Sequence, residues 1–326
     1  MNGAVIVGCG LVGRKRADAL RAVGVPLRAL VDADPDRARC LAEHLQADVE
    51  LAPSLPEAIT RPDIDFAVVA TTHDALASST VAALDAGCDV LVEKPGARHV
   101  DELDAVDEAA RRSGRLVRVG YNHRFHPGVQ AAHRAVTDGR FGALFSVRAR
   151  YGHGGRPGYE REWRGDAERS GGGELLDQGS HLIDLTRFLA GDVKLAFAEL
   201  RTDYWQTPVE DNAYLALRTS AGAFAWLHAS WTEWKNCFEM ELALQSARLD
   251  LRGLGGSYGP ERLVTHAMSP ELGPPTTAEQ VWPGQDESWR QEMADVRDAL
   301  EGRPAIGADL DDARAVLRIV AEAYRR

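Results

Sequence analysis

The chain has 326 residues, of which 44% are hydrophobic and 27% are charged, and its net charge is −11. This length allows two domains, each with a hydrophobic core of its own. The net negative charge and the lack of a basic stripe argue against a nucleic-acid partner. Because the sequence shows neither an apolar run of membrane-span length nor a signal peptide, we expect a cytoplasmic protein with no membrane partner.

The first predicted element is a strand over Ala4–Val7, whose apolar residues are typical of a parallel strand buried on both faces. It leads into a GxGxxG sequence over residues 8–13 and then into a helical pattern over Arg14–Val23. A second apolar run, Leu27–Val31, ends at Asp32. The order of strand, glycines, helix, strand and acid predicts a dinucleotide-binding site.

The glycine-rich loop and Asp32 have separate roles in the expected site. The glycines allow a tight turn that brings backbone N–H groups to a pyrophosphate at the positive end of the helix. Asp32 is expected to bind the ribose hydroxyls and to repel a 2′-phosphate, which favours NAD over NADP although Arg37 lies nearby. Cys9 is interpreted as a small filler residue. The loop residues expected to contact the cofactor are Gly8, Gly10, Leu11, Val12 and Gly13.

The alternation of strands and helices continues to about residue 122. Helices are predicted over Arg37–Leu45, Ser54–Ile59, Ala75–Ala86 and Val100–Arg112, and strands over Phe66–Ala70, Val90–Val92 and Leu116–Val119. This order predicts an α/β fold with a doubly wound parallel Rossmann sheet, in which ligands bind at the carboxyl ends of the strands.

From His123 onward the alternation stops. A helix is predicted over Pro127–Thr137 and a strand over Ala143–Tyr151, followed by a polar segment, residues 152–170, whose length suits a substrate loop or lid. The arginines of this segment either bind a phosphate or carboxylate of the substrate or pair with acids of the same segment. The arginines are Arg156, Arg161, Arg164 and Arg169, and the acids are Glu160, Glu162, Asp166 and Glu168.

The next segment, Gly171–Gly191, has the apolar spacing of a single helix with one buried stripe. Asp177 and His181 are four residues apart, so they lie roughly 40° apart around the helix axis, and Asp184 falls near the same face. A carboxylate one turn before an imidazole orients the ring and raises its basicity, as a general acid–base requires. The alternative is an i, i+4 pair on a solvated helix face.

The strands after Gly191 follow one another closely and predict a large, mainly antiparallel sheet in an α+β domain. Trp231 and Trp234, at a strand end, either wall a sugar pocket or pack in a core or interface. Residues 270–283 are predicted to form a proline-rich surface loop. The predicted strands are Leu195–Arg201, Ala213–Thr219, Ala223–Trp231 and Phe238–Leu244, and the closing helices are Ser288–Leu300 and Asp309–Tyr324.

Four stretches together resemble the Gfo/Idh/MocA family of oxidoreductases. They are the GxGxxG loop, the sequence Val-Glu-Lys-Pro over residues 92–95, the sequence GYNHRFHP over residues 120–127, and GGELLDQGSH over residues 172–181. The resemblance implies a Rossmann domain over residues 1–122 and a substrate-binding and oligomerisation domain over residues 123–326. It also implies that the open-faced sheet of the second domain forms a homodimer or homotetramer.

The resemblance also implies the catalytic residues. Lys94 is expected to face the nicotinamide and the substrate and to polarise the reacting oxygen, with a cis peptide before Pro95. The residues alone equally allow Lys94 to be a surface lysine beside Glu93. His181 is the expected proton acceptor, and Asp177 orients it or binds a neighbouring hydroxyl.

The remaining contacts implied by the resemblance lie around these groups. The loop of Thr71, Thr72 and His73 stands where the family usually has Thr-Pro-Asn near the cofactor. His73 either touches the nicotinamide side or faces solvent, and we expect it to face solvent. Lys94 and Glu93 are further expected cofactor contacts. The expected substrate contacts are Lys94, Asn122, Arg124, Trp163, Asp177, Gln178 and His181.

These features predict an NAD-dependent dehydrogenase that acts on a secondary alcohol of a sugar, an inositol or a derivative with or without a phosphate or nucleotide. One alternative is an enzyme of the same fold that uses NAD transiently in glycoside cleavage or elimination. Another is a non-catalytic sensor of dinucleotides or sugars, which would not need Lys94, Asp177 and His181 together. No metal is expected, because Asp177 and His181 have no evident third ligand and the four cysteines form no CxxC pair.

Overall fold

The computed structural model describes residues 1–271 and 273–326. In these residues, the first part of the chain alternates strands and helices as predicted. The strands are β1 (Ala4–Val7), β2 (Leu27–Val31), β3 (Glu50–Leu51), β4 (Phe66–Val69), β5 (Asp89–Glu93) and β6 (Val117–Gly120). The helices are α1 (Leu11–Ala22), α2 (Pro35–Leu45), α3 (Leu55–Ala58), α4 (His73–Asp85) and α5 (Val100–Ser113).

The strands β1 to β6 form one parallel sheet in the order β3-β2-β1-β4-β5-β6. The chain starts in the middle, winds outward through β2 and β3, and then returns to β4 on the other side of β1. This strand order is the doubly wound arrangement, whose ligand crevice lies at the carboxyl ends of β1 and β4. The predicted α/β fold is therefore confirmed.

The chain after residue 122 combines helices with a second sheet. It begins with a 3-10 turn at Asn122–Phe125 and contains a π-helical turn at Leu175–Gly179. Its helices are α6 (Pro127–Thr137), α7 (Ala167–Ser170), α8 (Ser180–Ala190), α9 (Ser288–Leu300) and α10 (Leu310–Tyr324). Its strands are β7 (Leu144–Gly152), β8 (Val193–Arg201), β9 (Asn212–Thr219), β10 (Phe224–Ser230), β11 (Cys237–Leu244), β12 (Ala247–Arg252), β13 (Glu261–Ala267) and β14 (Thr276–Trp282).

The strands β7 to β14 form one sheet in the order β14-β13-β12-β11-β7-β10-β9-β8. Within the described chain, β7 and β10 run parallel and the other neighbours run antiparallel. Helices α6 and α8 pack on one face of the sheet. On the other face Phe197, Phe224 and Trp226 are exposed, and the rings of Phe197 and Trp226 stack with centroids 6.2 Å apart. The predicted open-faced, mainly antiparallel sheet is confirmed.

The prediction of a loop over residues 270–283 is wrong for most of that range. Thr276–Trp282 is the edge strand β14, which pairs with β13 on one side. Its prolines, Pro274, Pro275 and Pro283, lie just outside the strand, where they leave its ladder intact. The side chains of β14 are mostly exposed, so the strand lacks the apolar pattern on which the sequence prediction relied. Leu272 lies outside the described residues.

The chain divides into two compact units. The first unit consists of Met1–Asn122, Glu168–Gly171 and Trp289–Leu317, and the second of His123–Ala167, Gly172–Ser288 and Arg318–Arg326. In the first unit, buried residues of α9, Met293 and Val296, belong to the same apolar cluster as residues of β1, β2 and α1. Among residues 1–271 and 273–326, the structure has no helix of the length and apolarity that a membrane crossing requires.

Candidate active site

The glycine-rich loop of the first unit joins β1 to α1 at the carboxyl end of the sheet. A Cβ at Gly8, whose φ is +96°, would lie 2.4 Å from the carbonyl oxygen of Ala70, and one at Gly13 would lie 1.9 Å from that of Gly8. A Cβ at Gly10 would meet no atom of the described chain within 4 Å. Gly8 and Gly13 therefore allow the backbone to pack closely, whereas Gly10 leaves open space.

This open space suits the pyrophosphate of a dinucleotide. Helix α1 begins at Leu11, and in the described chain no side chain caps it. The first N–H groups of a helix have no partner within the helix, and together with the helix dipole they favour an anion. The loop thus has the shape and the donors that the motif requires.

Asp32 follows β2 and is tied to the glycine-rich loop. One of its carboxylate oxygens accepts a hydrogen bond from the backbone N–H of Cys9 at 2.6 Å, and the other accepts one from Asp34 at 2.8 Å. Each carboxylate oxygen can accept more than one hydrogen bond, so Asp32 can also accept hydrogen bonds from ribose hydroxyls. Burial, reinforced by the charge of Asp32, raises the pKa of the Cys9 thiol to about 12. The thiol is therefore neutral, which agrees with the interpretation of Cys9 as a filler.

The residues after β4 begin α4 rather than forming a free loop. Thr72 is the N-cap residue, and His73 is the first residue of the helix. His73 is buried, and its Nδ1 donates a hydrogen bond to the carbonyl oxygen of Ser170 at 2.8 Å. The expectation that His73 faces solvent is wrong, because a chain segment distant in sequence but belonging to the same unit covers it. Contacts of Thr71, Thr72 and His73 with a cofactor stay a prediction.

Lys94 lies directly after β5, and the peptide bond between Lys94 and Pro95 is cis, as the resemblance implies. The Lys94 side chain is half-buried, which does not fit a solvated surface lysine. Glu93 is buried at the end of the strand. A role of Lys94 in binding or catalysis stays a prediction.

Glu93 belongs to a buried ionic cluster that the sequence did not reveal. Arg16 of α1 is fully buried, and its guanidinium lies 2.5 Å from a carboxylate oxygen of Glu93 and 2.5 Å from one of Glu292 on α9. Burial raises the pKa of Glu292 to about 7, helped by the negative charge of Glu93 and opposed by Arg16. The sequence could have indicated a buried ion pair at Arg16, because a charged residue stands there on the buried side of α1. Glu292 had none, because its partner is 276 residues away.

In the second unit, the predicted single helix over 171–191 begins instead with the π-helical turn at Leu175–Gly179, before α8. The extra residue in a π turn changes the angular positions of the residues before it, so the predicted 40° between Asp177 and His181 does not apply. π-Helical turns often occur at functional sites. The local geometry therefore differs from the prediction at the two residues expected to carry the chemistry.

Glu210, which the sequence analysis did not single out, holds the start of this segment. Its carboxylate accepts hydrogen bonds from the backbone N–H groups of Gly173 at 3.2 Å and Leu175 at 2.9 Å, and from the hydroxyl of Tyr324 at 2.8 Å. A Cβ at Gly173 would lie 2.1 Å from the carbonyl oxygen of Glu210. Glycine is therefore required where the segment crosses this backbone.

His181 is only 5% exposed and lies in the first turn of α8. Its ring stacks on that of His123, with centroids 3.8 Å apart and planes inclined by 24°. His123 lies in the GYNHRFHP stretch, but the sequence analysis had not picked it as a site residue. Stacking fixes the plane of the His181 ring, which a proton-transferring imidazole needs.

Asp177 lies on the π-helical turn and accepts a hydrogen bond from Nε of Arg164 at 2.8 Å. Burial lowers the pKa of Arg164, but the charges and the hydrogen bond of its neighbours, with the charge of Asp177 the largest of them, together outweigh burial, so the net pKa is raised. The Arg164 guanidinium therefore stays charged beside the Asp177 carboxyl group. The guanidinium carbon of Arg164 also lies 4.6 Å from the ring centroid of Trp163.

The other expected substrate contacts occupy different environments. Arg124 is buried and binds Asp184 of α8 through two nitrogens, at 2.9 and 2.5 Å, so Asp184 has a structural partner. The side-chain nitrogen of Gln178 lies 3.5 Å from the hydroxyl of Tyr258. Asn122 is buried at the beginning of the 3-10 turn.

Each arginine of the segment 152–170 has a carboxylate within ion-pair distance. The pairs are Arg156–Glu162 at 2.7 Å, Arg161–Glu160 at 3.8 Å, Arg164–Asp177 at 2.8 Å and Arg169–Asp74 at 3.8 Å. Two partners belong to the segment, as one alternative predicts, and two lie outside it. This pairing favours charge balance over a site for an anionic substrate.

Comparison with known proteins identifies the class to which this fold and these residues belong. An oxidoreductase family with an NAD-binding Rossmann fold matches residues 3–121, and the GFO/IDH/MocA C-terminal domain matches residues 129–258. The chain thus carries both domains of a family of oxidoreductases with an NAD-binding Rossmann fold. It is 30% identical to 1,5-anhydro-D-fructose reductase from Ensifer adhaerens over 240 residues, which cover 71% of this chain and 70% of that protein. The chain belongs to the Gfo/Idh/MocA family.

Other relatives extend the comparison. Levoglucosan dehydrogenase from Pseudarthrobacter phenanthrenivorans is 27% identical over 228 residues, which cover 67% of this chain but only 58% of that protein. The chain thus spans little more than half the length of that curated relative. The crystal structure of GenD2 from gentamicin A biosynthesis, in complex with NAD, is 26% identical, with a TM-score of 0.84 over 99% of this chain and 93% of the other.

Proposed function

We propose that this protein is an NAD-dependent dehydrogenase that oxidises a secondary alcohol of a sugar or polyol. The observation that carries the proposal is His181, a nearly buried imidazole with a fixed ring plane, directly after a π-helical turn that bears Asp177, the partner of Arg164. The names of the relatives, which include a levoglucosan dehydrogenase and an anhydrofructose reductase, support sugars as the substrate class.

In the proposed reaction, the alcohol carbon loses a hydride and the alcohol oxygen loses a proton. NAD supplies the hydride acceptor when it is bound. Nε2 or Nδ1 of His181 takes the hydroxyl proton, and the ammonium of Lys94 donates a hydrogen bond to the oxygen as negative charge develops on it. Asp177 accepts a hydrogen bond from a neighbouring hydroxyl or orients His181. The products are a ketone, NADH and the proton held by His181.

The first unit binds the cofactor in this proposal. The N–H groups at Gly8, Gly10, Leu11, Val12 and Gly13 hold the pyrophosphate, and Asp32 accepts hydrogen bonds from the adenosine ribose. Thr71, Thr72, His73 and Lys94 approach the nicotinamide side, and Glu93 holds the end of β5. Repulsion between Asp32 and a 2′-phosphate makes NAD the preferred cofactor.

The substrate is proposed to be uncharged. Arg164 is paired with Asp177 on the π-helical turn, so it does not offer a free cation to a phosphate or carboxylate of the substrate. Asn122, Trp163 and Gln178 are the proposed contacts for sugar hydroxyls and ring faces. Arg124 contributes by fixing Asp184, and therefore α8, rather than by reaching the substrate with its paired guanidinium.

The proposal includes the location and assembly of the protein. We propose a cytoplasmic enzyme, since the reaction draws on an NAD pool. The aromatic residues on the outer face of the second sheet, Phe197, Phe224 and Trp226, are proposed to pack against a second copy in a homodimer or homotetramer. We further propose that residues 1–122 and 123–326 are the two domains of the enzyme.

The test separates chemistry from cofactor binding. His181→Ala and Lys94→Ala are each expected to lower kcat about 100- to 10,000-fold, because each removes a group that acts on the reacting oxygen. The dissociation constant for NADH, measured by fluorescence titration, is expected to change far less than kcat in both variants. His99→Ala is the control, because His99 is exposed. Near-normal turnover in the His181 and Lys94 variants would contradict the assignment.

A further inference from the structure

Two aromatic side chains stand at the surface of the second unit and are not used by the proposed chemistry. Tyr204, in the connection between β8 and β9, is 58% exposed, and Trp234, in the connection between β10 and β11, is 68% exposed. Their rings meet edge to face, with centroids 4.8 Å apart and planes inclined by 76°. We call Tyr204 and Trp234 the aromatic pair. Large apolar groups left open to water in this way often mark binding sites.

The backbone around the aromatic pair is fixed. The N–H groups of Tyr204 and Trp205 donate hydrogen bonds to Asp211 at 2.8 and 2.9 Å, and the indole N–H of Trp205 donates to the carbonyl oxygen of Trp231 at 3.0 Å. Trp231 is fully buried in a small core with Tyr159 and Val209. Of the two tryptophans for which the sequence left both roles open, Trp231 therefore packs in the core and Trp234 stays exposed.

The polar segment 152–170 connects the aromatic pair to the proposed catalytic residues within the second unit. A Cβ at Gly154 would lie 3.2 Å from the Trp234 ring, and one at Gly155 would lie 2.7 Å from the Trp205 ring. The same segment carries Arg164, which binds Asp177 at 2.8 Å. The segment thus touches the aromatic pair near its beginning and the π-helical turn further along.

We propose that the aromatic pair is an accessory sugar subsite, which binds a second ring of a glycoside whose first ring is oxidised. The proposal rests on the function proposed above and narrows its substrate class to glycosides or short oligosaccharides. A sugar ring has C–H groups on its faces that pack on an aromatic ring and hydroxyls at its edge. Glu233 pairs with Arg150 at 3.4 Å, and Nδ2 of Asn236, two residues after Trp234, donates to Ser257 at 2.8 Å. Their side chains keep further acceptor positions and one N–H for such hydroxyls.

Charge and accessibility favour this occupant over an anion. Arg150, which faces this end of the sheet, lies 3.4 Å from Glu233 and 3.4 Å from Glu239, so its charge is compensated. Burial raises the pKa of Tyr214 on the adjacent strand β9, so this phenol stays neutral. Arg150 is therefore not free to bind an anion beside the aromatic pair, which favours an uncharged sugar.

The experiment compares substrates with one ring and two rings. The one-ring probes are glucose and methyl β-glucoside. The two-ring probes are phenyl β-glucoside, maltose and cellobiose. Trp234→Ala and Tyr204→Ala are expected to raise KM for the two-ring probes roughly 3- to 10-fold, the fold-change that corresponds to an aromatic contact of about 0.5–1.5 kcal/mol. KM for one-ring probes and kcat for all probes are expected to stay within about twofold. Phe145→Ala, another exposed aromatic residue, is the control.

A binding measurement keeps this inference separate from the proposed function. Calorimetry with maltose or cellobiose in the presence of NADH is expected to show weaker binding to the Trp234→Ala protein, whether or not the sugar is oxidised. If no probe is oxidised but this difference is seen, the subsite is supported and the dehydrogenase proposal is not. Equal changes for one-ring and two-ring probes, no change, or a change only in the molar mass from light scattering would each overturn the subsite.

Discussion

The carboxylate of Asp32 is oriented by the protein itself. Backbone N–H groups of Cys9 and Asp34 each donate a hydrogen bond to it, so its position depends on the glycine-rich loop and on the start of α2. Hydrogen bonds to a charged acceptor contribute about 1.5–3 kcal/mol each. A carboxylate held in this way presents its charge in a fixed direction, as the proposed repulsion of a 2′-phosphate requires.

We therefore expect Asp32→Asn to change the preference between cofactors. The loss of the charge is expected to weaken NAD binding about 10-fold and to remove repulsion of the 2′-phosphate, so that the ratio of kcat/KM for NAD to that for NADP falls at least 10-fold. Asp34→Asn is the matched control, because Asp34 is the N-cap residue of α2. A ratio that is unchanged in the Asp32 variant would show that the acid does not select the cofactor.

At the scale of elements, the ionic cluster of Arg16, Glu93 and Glu292 joins α1, the end of β5 and α9. Two carboxylates share one guanidinium, and all three groups are buried, so one negative charge is in excess when both acids are ionised. The folded protein relieves this excess by holding a proton on Glu292, whose pKa burial raises to about 7. Removing one member of such a cluster leaves a buried charge uncompensated.

The raised pKa of Glu292 gives the stability of the protein a specific pH dependence. Between about pH 4.5 and pH 7 the folded state binds the proton and the unfolded state has released it, so the free energy of unfolding falls as the pH rises. Relative to Glu292→Gln, which is neutral at every pH, the wild-type protein is expected to lose about 3 kcal/mol across this window and to level off above pH 7.

Denaturant unfolding between pH 4.5 and pH 8 measures this difference. Glu301→Gln, an exposed carboxylate just after α9, is the control and is expected to follow the wild-type curve. Parallel curves for wild type and Glu292→Gln would contradict the raised pKa.

Elements with a local pattern could be predicted, and elements that depend on distant contacts could not. The strand, glycines and helix around residues 4–23 follow from apolar runs and turn residues that are adjacent in sequence. The π-helical turn at Leu175–Gly179 has the same apolar spacing as an α-helix, so periodicity alone does not reveal it. Strand β14 has mostly exposed side chains and is defined by its pairing with β13.

The same distinction holds for the candidate site. Lys94, Asp177 and His181 stand in recognisable motifs, so their positions could be proposed from sequence. Glu210 and Glu292 bind partners that lie 35 and 276 residues away in the sequence. No motif near either residue indicates these contacts. Similarly, His73 looked like an exposed loop residue, because the segment that covers it comes almost one hundred residues later.

At the scale of the whole molecule, the outer face of the second sheet bears on assembly. Phe197, Phe224 and Trp226 form an exposed aromatic surface on strands β8 and β10. If this surface forms the proposed homodimer or homotetramer, Trp226→Glu is expected to give a monomer of 35.5 kDa in light scattering, since it places a charge in the proposed interface. Leu51→Glu, an exposed apolar residue of the first unit, is the control. An unchanged oligomer in the Trp226 variant would exclude this face.

The central claim is that the protein transfers hydride from a sugar to NAD with net formation of NADH. The most direct test is to incubate the purified protein with NAD or NADP and a panel of sugars, inositols, glycosides, sugar phosphates and nucleotide sugars, and to quantify NADH and ketone together. We expect one NADH per ketone with at least one uncharged sugar, and a preference for NAD. Product that forms without net NADH would indicate transient use of NAD, and no reaction with either cofactor across the panel would contradict the claim.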